Sequence, residues 1–257
     1  MQAFDHVSGQ VLEIDGARIY YEEHGDPDGS PLLMLHGGLG SLHDFAAIMP
    51  WLREGLRVVG IDNRGHGRSS LGDRPLDYAR LQRDAERVIE HLGLRRPALL
   101  GFSDGGIVAY RLAAEPALDI ARVVAIGAHW EMPPGDPTRE LLSMVSAERW
   151  RSLFPDSYRR YRELNPAPDF DALVRAVRAM WLDEGDGGYP GEAVDGIPCS
   201  LLIVRGEDDH LLARDSVARL ANRVPRARTA HIAHAGHAAH EDQPEAVMRA
   251  VNPFLAP

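Results

Sequence analysis

The sequence predicts an α/β fold, a mostly parallel central sheet covered by helices on both faces, with one helical insertion. Three observations carry that expectation. Short continuous apolar runs recur along the chain, as strands buried on both faces require. Segments with a single apolar face at helical spacing alternate with them. Residues 129–195 break the alternation: they are rich in Pro, Arg, Trp and Asp and hold no good buried strand.

In chain order, GQVLEID (9–15) and ARIYYEEHG (17–25) flank Asp15-Gly16, a hairpin signal. PLLMLHG (31–37) and RVVGID (57–62) read as buried strands, with a helix predicted over 43–54 between them. In 79–93, Leu81, Ala85, Val88, Ile89 and Leu92 share one helical face, and Gly93 ends that helix as a left-handed cap. PALLGFS (97–103) is a strand, 107–115 a helix and ARVVAIGA (121–128) a further strand. Helices are predicted over 138–153, 156–164 and 169–183, then a loop over 185–196. The alternation resumes with a strand at 199–206, a helix at 213–223, a strand at 227–233 and a helix at 243–255. The expected organisation is a core domain of residues 1–128 and 197–257, with a helical cap or lid over 129–196.

Bulk properties narrow the function. A chain of 257 residues is long enough to bury roughly three quarters of its unfolded surface in one α/β domain. The formal net charge of −10 argues against nucleic acid and anionic membrane surfaces as partners. Every cation other than histidine is an arginine, which excludes a Schiff-base lysine, a Walker phosphate loop and a Ser-Lys dyad. Cys199 is the single cysteine, so neither an internal disulfide nor a cysteine zinc site can form. The start, MQAFDHVSGQ, has no signal-peptide pattern, and no apolar stretch is long enough to span a membrane. A cytoplasmic monomer or homodimer acting on a small molecule is the resulting expectation, with no metal or organic cofactor.

Gly101-Phe102-Ser103-Asp104-Gly105 is a G-x-S-x-G run with a strand directly before it and a helix directly after. That context is a nucleophile elbow, in which side chains at the two glycine positions would clash. Ser103 then projects at the positive end of the following helix. A serine hydroxyl needs an adjacent base. With this elbow the triad order is serine, acid, histidine, so the base belongs in a late loop. Among the 12 histidines, His231, His234, His237 and His240 lie there, and His237, after Gly236 and before the last helix, is preferred. The acid follows the penultimate strand, where Asp209 is preferred to Asp208 and Glu131 is an alternative. The backbone N–H groups of Gly38 and Asp104 are the candidate oxyanion donors. His129 and Trp130 leave a strand at its carboxyl end, where ligands collect in open α/β sheets, and are candidate substrate contacts.

HGG (36–38), DNRGHGRS (62–69), GFSDGG (101–106), GEDD (206–209) and HAGHAAHEDQPE (234–245) together resemble the α/β-hydrolase superfamily. The resemblance implies a serine hydrolase with Asp209 as acid and His237 as base, and structural roles for Asp62, Arg64 and His66. Dehalogenases and epoxide hydrolases of the fold carry aspartate where this chain has Ser103, and prolyl aminopeptidases carry tryptophan where it has Asp104. The SDGGI run (103–107) is most similar to the valacyclovir-hydrolase-like esterases and the enol-lactone hydrolases. In the former group, an acid at position 104 binds a substrate ammonium group, which makes Asp104 a candidate substrate contact as well. The function expected is hydrolysis of a small carboxylic ester. The same triad leaves three alternatives open: an enol-lactone or carbon–carbon bond hydrolase, a cofactor-free haloperoxidase or perhydrolase, and a non-catalytic receptor.

Overall fold

A computed structural model describes residues 1–256. Eight strands form one sheet in the order β1-β2-β4-β3-β5-β6-β7-β8. They are β1 (Gln10–Ile14), β2 (Ala17–Gly25), β3 (Ser30–Leu35), β4 (Leu56–Ile61), β5 (Ala98–Phe102), β6 (Arg122–Ile126), β7 (Ser200–Gly206) and β8 (Ala227–Ile232). Only β2 runs antiparallel to its neighbours; from β4 to β8 every pairing is parallel. The β1–β2 turn places both Asp15 and Gly16 at positive φ (46° and 78°), the hairpin conformation that an Asp-Gly pair favours.

The buried strands divide their side chains by parity between two cores. Leu33, Leu35, Leu99, Val123, Leu201 and Ile203 face one core, while Leu32, Met34, Leu100, Val124, Leu202 and Val204 face the other. This period of two explains why the central strands read as unbroken apolar runs. The first core is closed by α1 (Tyr78–His91), α2 (Asp104–Ala114) and α7 (Arg214–Arg223), the second by α8 (Ala239–Asp242) and α9 (Pro244–Leu255).

Between β6 and β7 the chain forms α3 (Pro137–Ser143), α4 (Ala147–Leu153), α5 (Pro155–Leu164) and α6 (Phe170–Trp181). Phe170, Leu173, Val177 and Met180 of α6 join the first core, so these helices are packed onto the sheet domain.

Two expectations are corrected. The helix predicted over 43–54 is two short 3₁₀ turns, Leu42–Phe45 and Met49–Trp51. Ser41 and Asp44 form a capping box around the first, Asp62 draws in the Leu42 N–H at 3.0 Å, and Pro50 opens the second. The helix predicted over 138–153 is divided into α3 and α4, because Ser146 caps a new start by accepting the Arg149 N–H.

Candidate active site

Ser103 stands between β5 and α2 with φ 49° and ψ −116°, a strained conformation for a residue with a side chain. The flanking glycines make it attainable. A methyl at Gly101 would overlap the Gly105 carbonyl, and one at Gly105 would overlap the Leu35 carbonyl on the adjacent strand. The hydroxyl is thereby held at the carboxyl edge of the sheet.

The Ser103 hydroxyl donates to His237 Nε2 at 3.0 Å. His237 Nδ1–H donates to Asp209, with both carboxylate oxygens at 3.1–3.2 Å. Asp209 follows β7 and is buried. Burial pushes its pKa up, but the His237 hydrogen bond and charge, with the Leu212 and Leu211 N–H groups, hold it below the usual carboxylate range. Arg205, itself buried, donates to the carbonyls of Leu212, Gly206, Glu207 and Asp209 and so fixes the loop that carries this carboxylate. Glu131 lies elsewhere, 2.8 Å from Arg219.

The other late histidines are placed differently. His231 and His234 are exposed. His240 is fully buried against Phe102, and burial lowers its pKa to about 3, keeping the ring neutral. His36 and His66 brace loops: His36 Nε2 accepts the Asn63 N–H, and His66 Nε2 accepts the Leu39 N–H. Asp62 receives the N–H groups of Leu42 and Arg68, and Arg64 forms a buried ion pair with Asp84.

Gly38 lies against Asp104; a Cβ at Gly38 would overlap the Asp104 carboxylate. Neither the Gly38 nor the Asp104 N–H has an acceptor among the described residues. Both residues line a cavity of about 550 Å³ that also contains Ser103 and His237.

The Asp104 side chain turns into the protein, where Tyr78 O–H donates to it at 2.9 Å and Trp181 Nε1–H at 2.9 Å to both oxygens. Burial raises its pKa to about 6, against the Trp181 and Tyr78 hydrogen bonds and the charge of His237. His129 lines the cavity and donates to the Leu211 carbonyl at 3.2 Å; burial lowers its pKa. Trp130 is a correction. Its ring is buried outside the cavity lining, its Nε1–H donates to the Ser216 carbonyl at 3.2 Å, and Arg223 stacks over it.

Several residues of the site escaped the sequence reading. Tyr78 opens a helix far upstream of the elbow. Gly127, at φ 60°, leaves room for His237: a Cβ there would lie 2.9 Å from the His237 carbonyl and 3.1 Å from its ring. Asp44 and Glu241, beside Arg160, supply a charged part of the lining. Burial and the neighbouring Glu241 raise the Asp44 pKa to about 7. The only advance signal was a glycine at the end of the strand that leads to His129. Among the described residues no group of His, Cys, Asp and Glu side chains is arranged to hold a metal ion, and no helix is long and apolar enough to cross a membrane.

With this geometry, the family model described as the alpha/beta hydrolase family matches residues 32–250, and the chain belongs to that family. It is 30% identical over 232 residues to a bifunctional esterase/perhydrolase of Acinetobacter calcoaceticus, covering 79% of this chain and 83% of that protein. It is 31% identical over 220 residues to a serine hydrolase of Homo sapiens, covering 81% and 72%. A hydrolase from Pseudomonas aeruginosa has the same fold, with a TM-score of 0.78 and 25% identity over 98% of this chain and 100% of that one. Family, fold and relatives together make this chain a hydrolase.

Proposed function

We propose that the chain hydrolyses small carboxylic esters through an acyl-serine intermediate. The observation that carries this reading is the hydrogen-bonded series from Ser103 Oγ through His237 to Asp209, inside a cavity. His237 Nε2 takes the Ser103 proton as Oγ attacks the ester carbonyl carbon. The carbonyl oxygen becomes an oxyanion facing the N–H groups of Gly38 and Asp104. Asp209 fixes the Nδ1–H tautomer and stabilises the imidazolium. His237 then protonates the departing alcohol, and later takes a proton from water as water attacks the acyl-serine. The relatives named esterase and serine hydrolase support this choice of bond. In this reading α3–α6 act as a cap over the catalytic centre, and the enzyme works in the cytoplasm as a monomer or homodimer on a small-molecule substrate.

The Asp104 carboxylate favours one refinement, hydrolysis of amino-acid esters. Asp104 lines the cavity beside the nucleophile with its buried carboxylate held by Tyr78 and Trp181, and a substrate ammonium group that reached this carboxylate would gain a charged partner.

The deciding experiment is hydrolysis of p-nitrophenyl acetate and butyrate by the wild type and by Ser103→Ala. Turnover that falls by on the order of 10⁶ in the variant, with the fold intact by circular dichroism, is the expected result. Equal rates in the two proteins would remove Ser103 from the chemistry.

A further inference from the structure

Four of the large apolar side chains left exposed by the fold lie together on the inserted helices. Leu141, Met144, Leu153 and Phe154 are 41%, 48%, 58% and 47% exposed. All four also line the cavity that holds Ser103, so the patch is the outer end of the site's own wall. Soluble proteins rarely leave such a patch open unless something binds it. Further in, Leu142, Val145 and Trp150 continue the wall from the same two helices and their junction, half-buried, and Ile107 lies fully buried at its base.

Apart from Arg149 on α4, the charged lining comes from other elements. Asp44 lies in the turn after β3, Arg160 on α5 and Glu241 on α8. Ala238 and Glu241 follow His237 in the chain and form the lining on its side of the cavity. In the proposed reaction the alcohol is protonated by His237 Nε2 and leaves from that side, and the wall of α3 and α4 is the apolar part of the lining available to the acyl group.

We infer that the preferred substrates carry an unbranched alkyl chain on the acyl side, long enough to leave the cavity along α3 and α4 and cover the exposed rim. This deepens the proposed ester hydrolysis and rests on it. An alkyl chain fits the rim because these four side chains offer it area and no hydrogen bond. Each methylene moved from water onto such a wall contributes roughly 0.8 kcal/mol when fully buried, equivalent to about a fourfold gain. Chains lying on a half-exposed rim gain about twofold per methylene by the same measure.

The test is kcat/KM for p-nitrophenyl esters from acetate to decanoate, kept below the concentrations at which they aggregate. The proteins are the wild type, Leu153→Ser/Phe154→Ser and, as an independent pair on the other helix, Leu141→Ser/Met144→Ser. The wild type is expected to gain about twofold to fourfold per methylene through hexanoate to decanoate, and each double variant to lose most of the gain beyond hexanoate. Turnover of acetate by the wild type without a rise toward decanoate overturns the alkyl-chain inference and leaves the hydrolase reading standing. A rise kept in full by both variants likewise overturns the assignment of the chain to this rim. Failure to turn over any ester, or turnover that survives Ser103→Ala, overturns the proposed ester hydrolysis through an acyl-serine and this inference with it. Sedimentation provides one further outcome. If the wild type is a dimer that the variants dissociate, with unchanged chain-length dependence, the rim is a contact between copies and the inference is wrong.

Discussion

The indole Nε1–H of Trp181 lies 2.9 Å from both carboxylate oxygens of Asp104, joining the last turn of an inserted helix to the residue after the nucleophile. The contact sets up a dependence on pH. Asp104 has a folded pKa raised to about 6 from 3.8, so between those values the folded state holds the extra proton. Stability contributed by this group is therefore greatest at low pH, falls as pH rises from about 4 to 6, and is constant above. Removing the indole donor hurts the ionised form most. Trp181→Phe is expected to cost about 2 kcal/mol at pH 8 and clearly less at pH 5, read from urea unfolding at the two pH values. An equal loss at both would mean that the indole matters only by packing.

The same carboxylate bears on specificity. If it meets a substrate ammonium, an α-amino ester should be cleaved with a kcat/KM about ten to a hundred times that of the matched ester lacking the amine. Asp104→Asn should abolish the difference. In the wild type the preference should fade as pH drops through about 6, because a protonated Asp104 offers the cation no charge. Equal specificity constants for the two esters at pH 8 would exclude the ammonium role.

Gly127 and His237 define a second sensitive pair. The glycine sits at φ 60°, and a Cβ there would press on the His237 ring and carbonyl. Gly127→Ala therefore adds about 1–2 kcal/mol of backbone strain. It also displaces the imidazole from Ser103, for which a shift of about 1 Å costs on the order of 10² in rate. The expected outcome is a kcat reduced by about that factor with KM little changed. A kcat within twofold of the wild type would show that the loop absorbs the extra methyl group.

The contrast between what the sequence revealed and what it hid has a physical basis. The central strands β3 to β7 were legible because a strand buried on both faces must be apolar at nearly every position, as in residues 32–35 and 201–204, while β1 and β2 were legible from the Asp15-Gly16 turn between them. Ser103, Asp209 and His237 were legible as a group because each ends a strand or follows one closely, and the turn at Ser103 demands glycines at fixed offsets. Tyr78, Trp181 and Gly127 were not legible in these roles, since they reach the site only through tertiary packing, from segments far apart in the chain. Trp130 was misread for a related reason. It leaves β6 at the expected edge, yet its indole N–H finds the Ser216 carbonyl and turns the ring away from the cavity. The 43–54 helix failed because Asp62, a distant residue, captures the Leu42 N–H and favours a tight turn there.

Asp44 provides a test in which losing a charge stabilises the fold. Burial and the nearby Glu241 raise its pKa to about 7, against the Ser41 and Gly37 N–H groups and Arg160. An unfolded chain ionises this carboxyl near 3.8. Between about pH 4 and 7 the folded state therefore binds the proton that the unfolded state has released, and stability declines as pH rises through that window. Above pH 7 the folded protein carries an ionised carboxylate beside a second acid. Asp44→Asn removes that charge while its amide oxygen can still accept the Ser41 N–H, now 3.3 Å from the carboxylate. Water in the cavity screens part of the penalty, so the expected gain is about 1–3 kcal/mol at pH 8, disappearing near pH 4. Urea midpoints for the two proteins at pH 4, 6 and 8 provide the measurement. A gain of the same size at all three values would place its origin in packing, and no gain at pH 8 would show that Arg160 compensates the Asp44 charge in full.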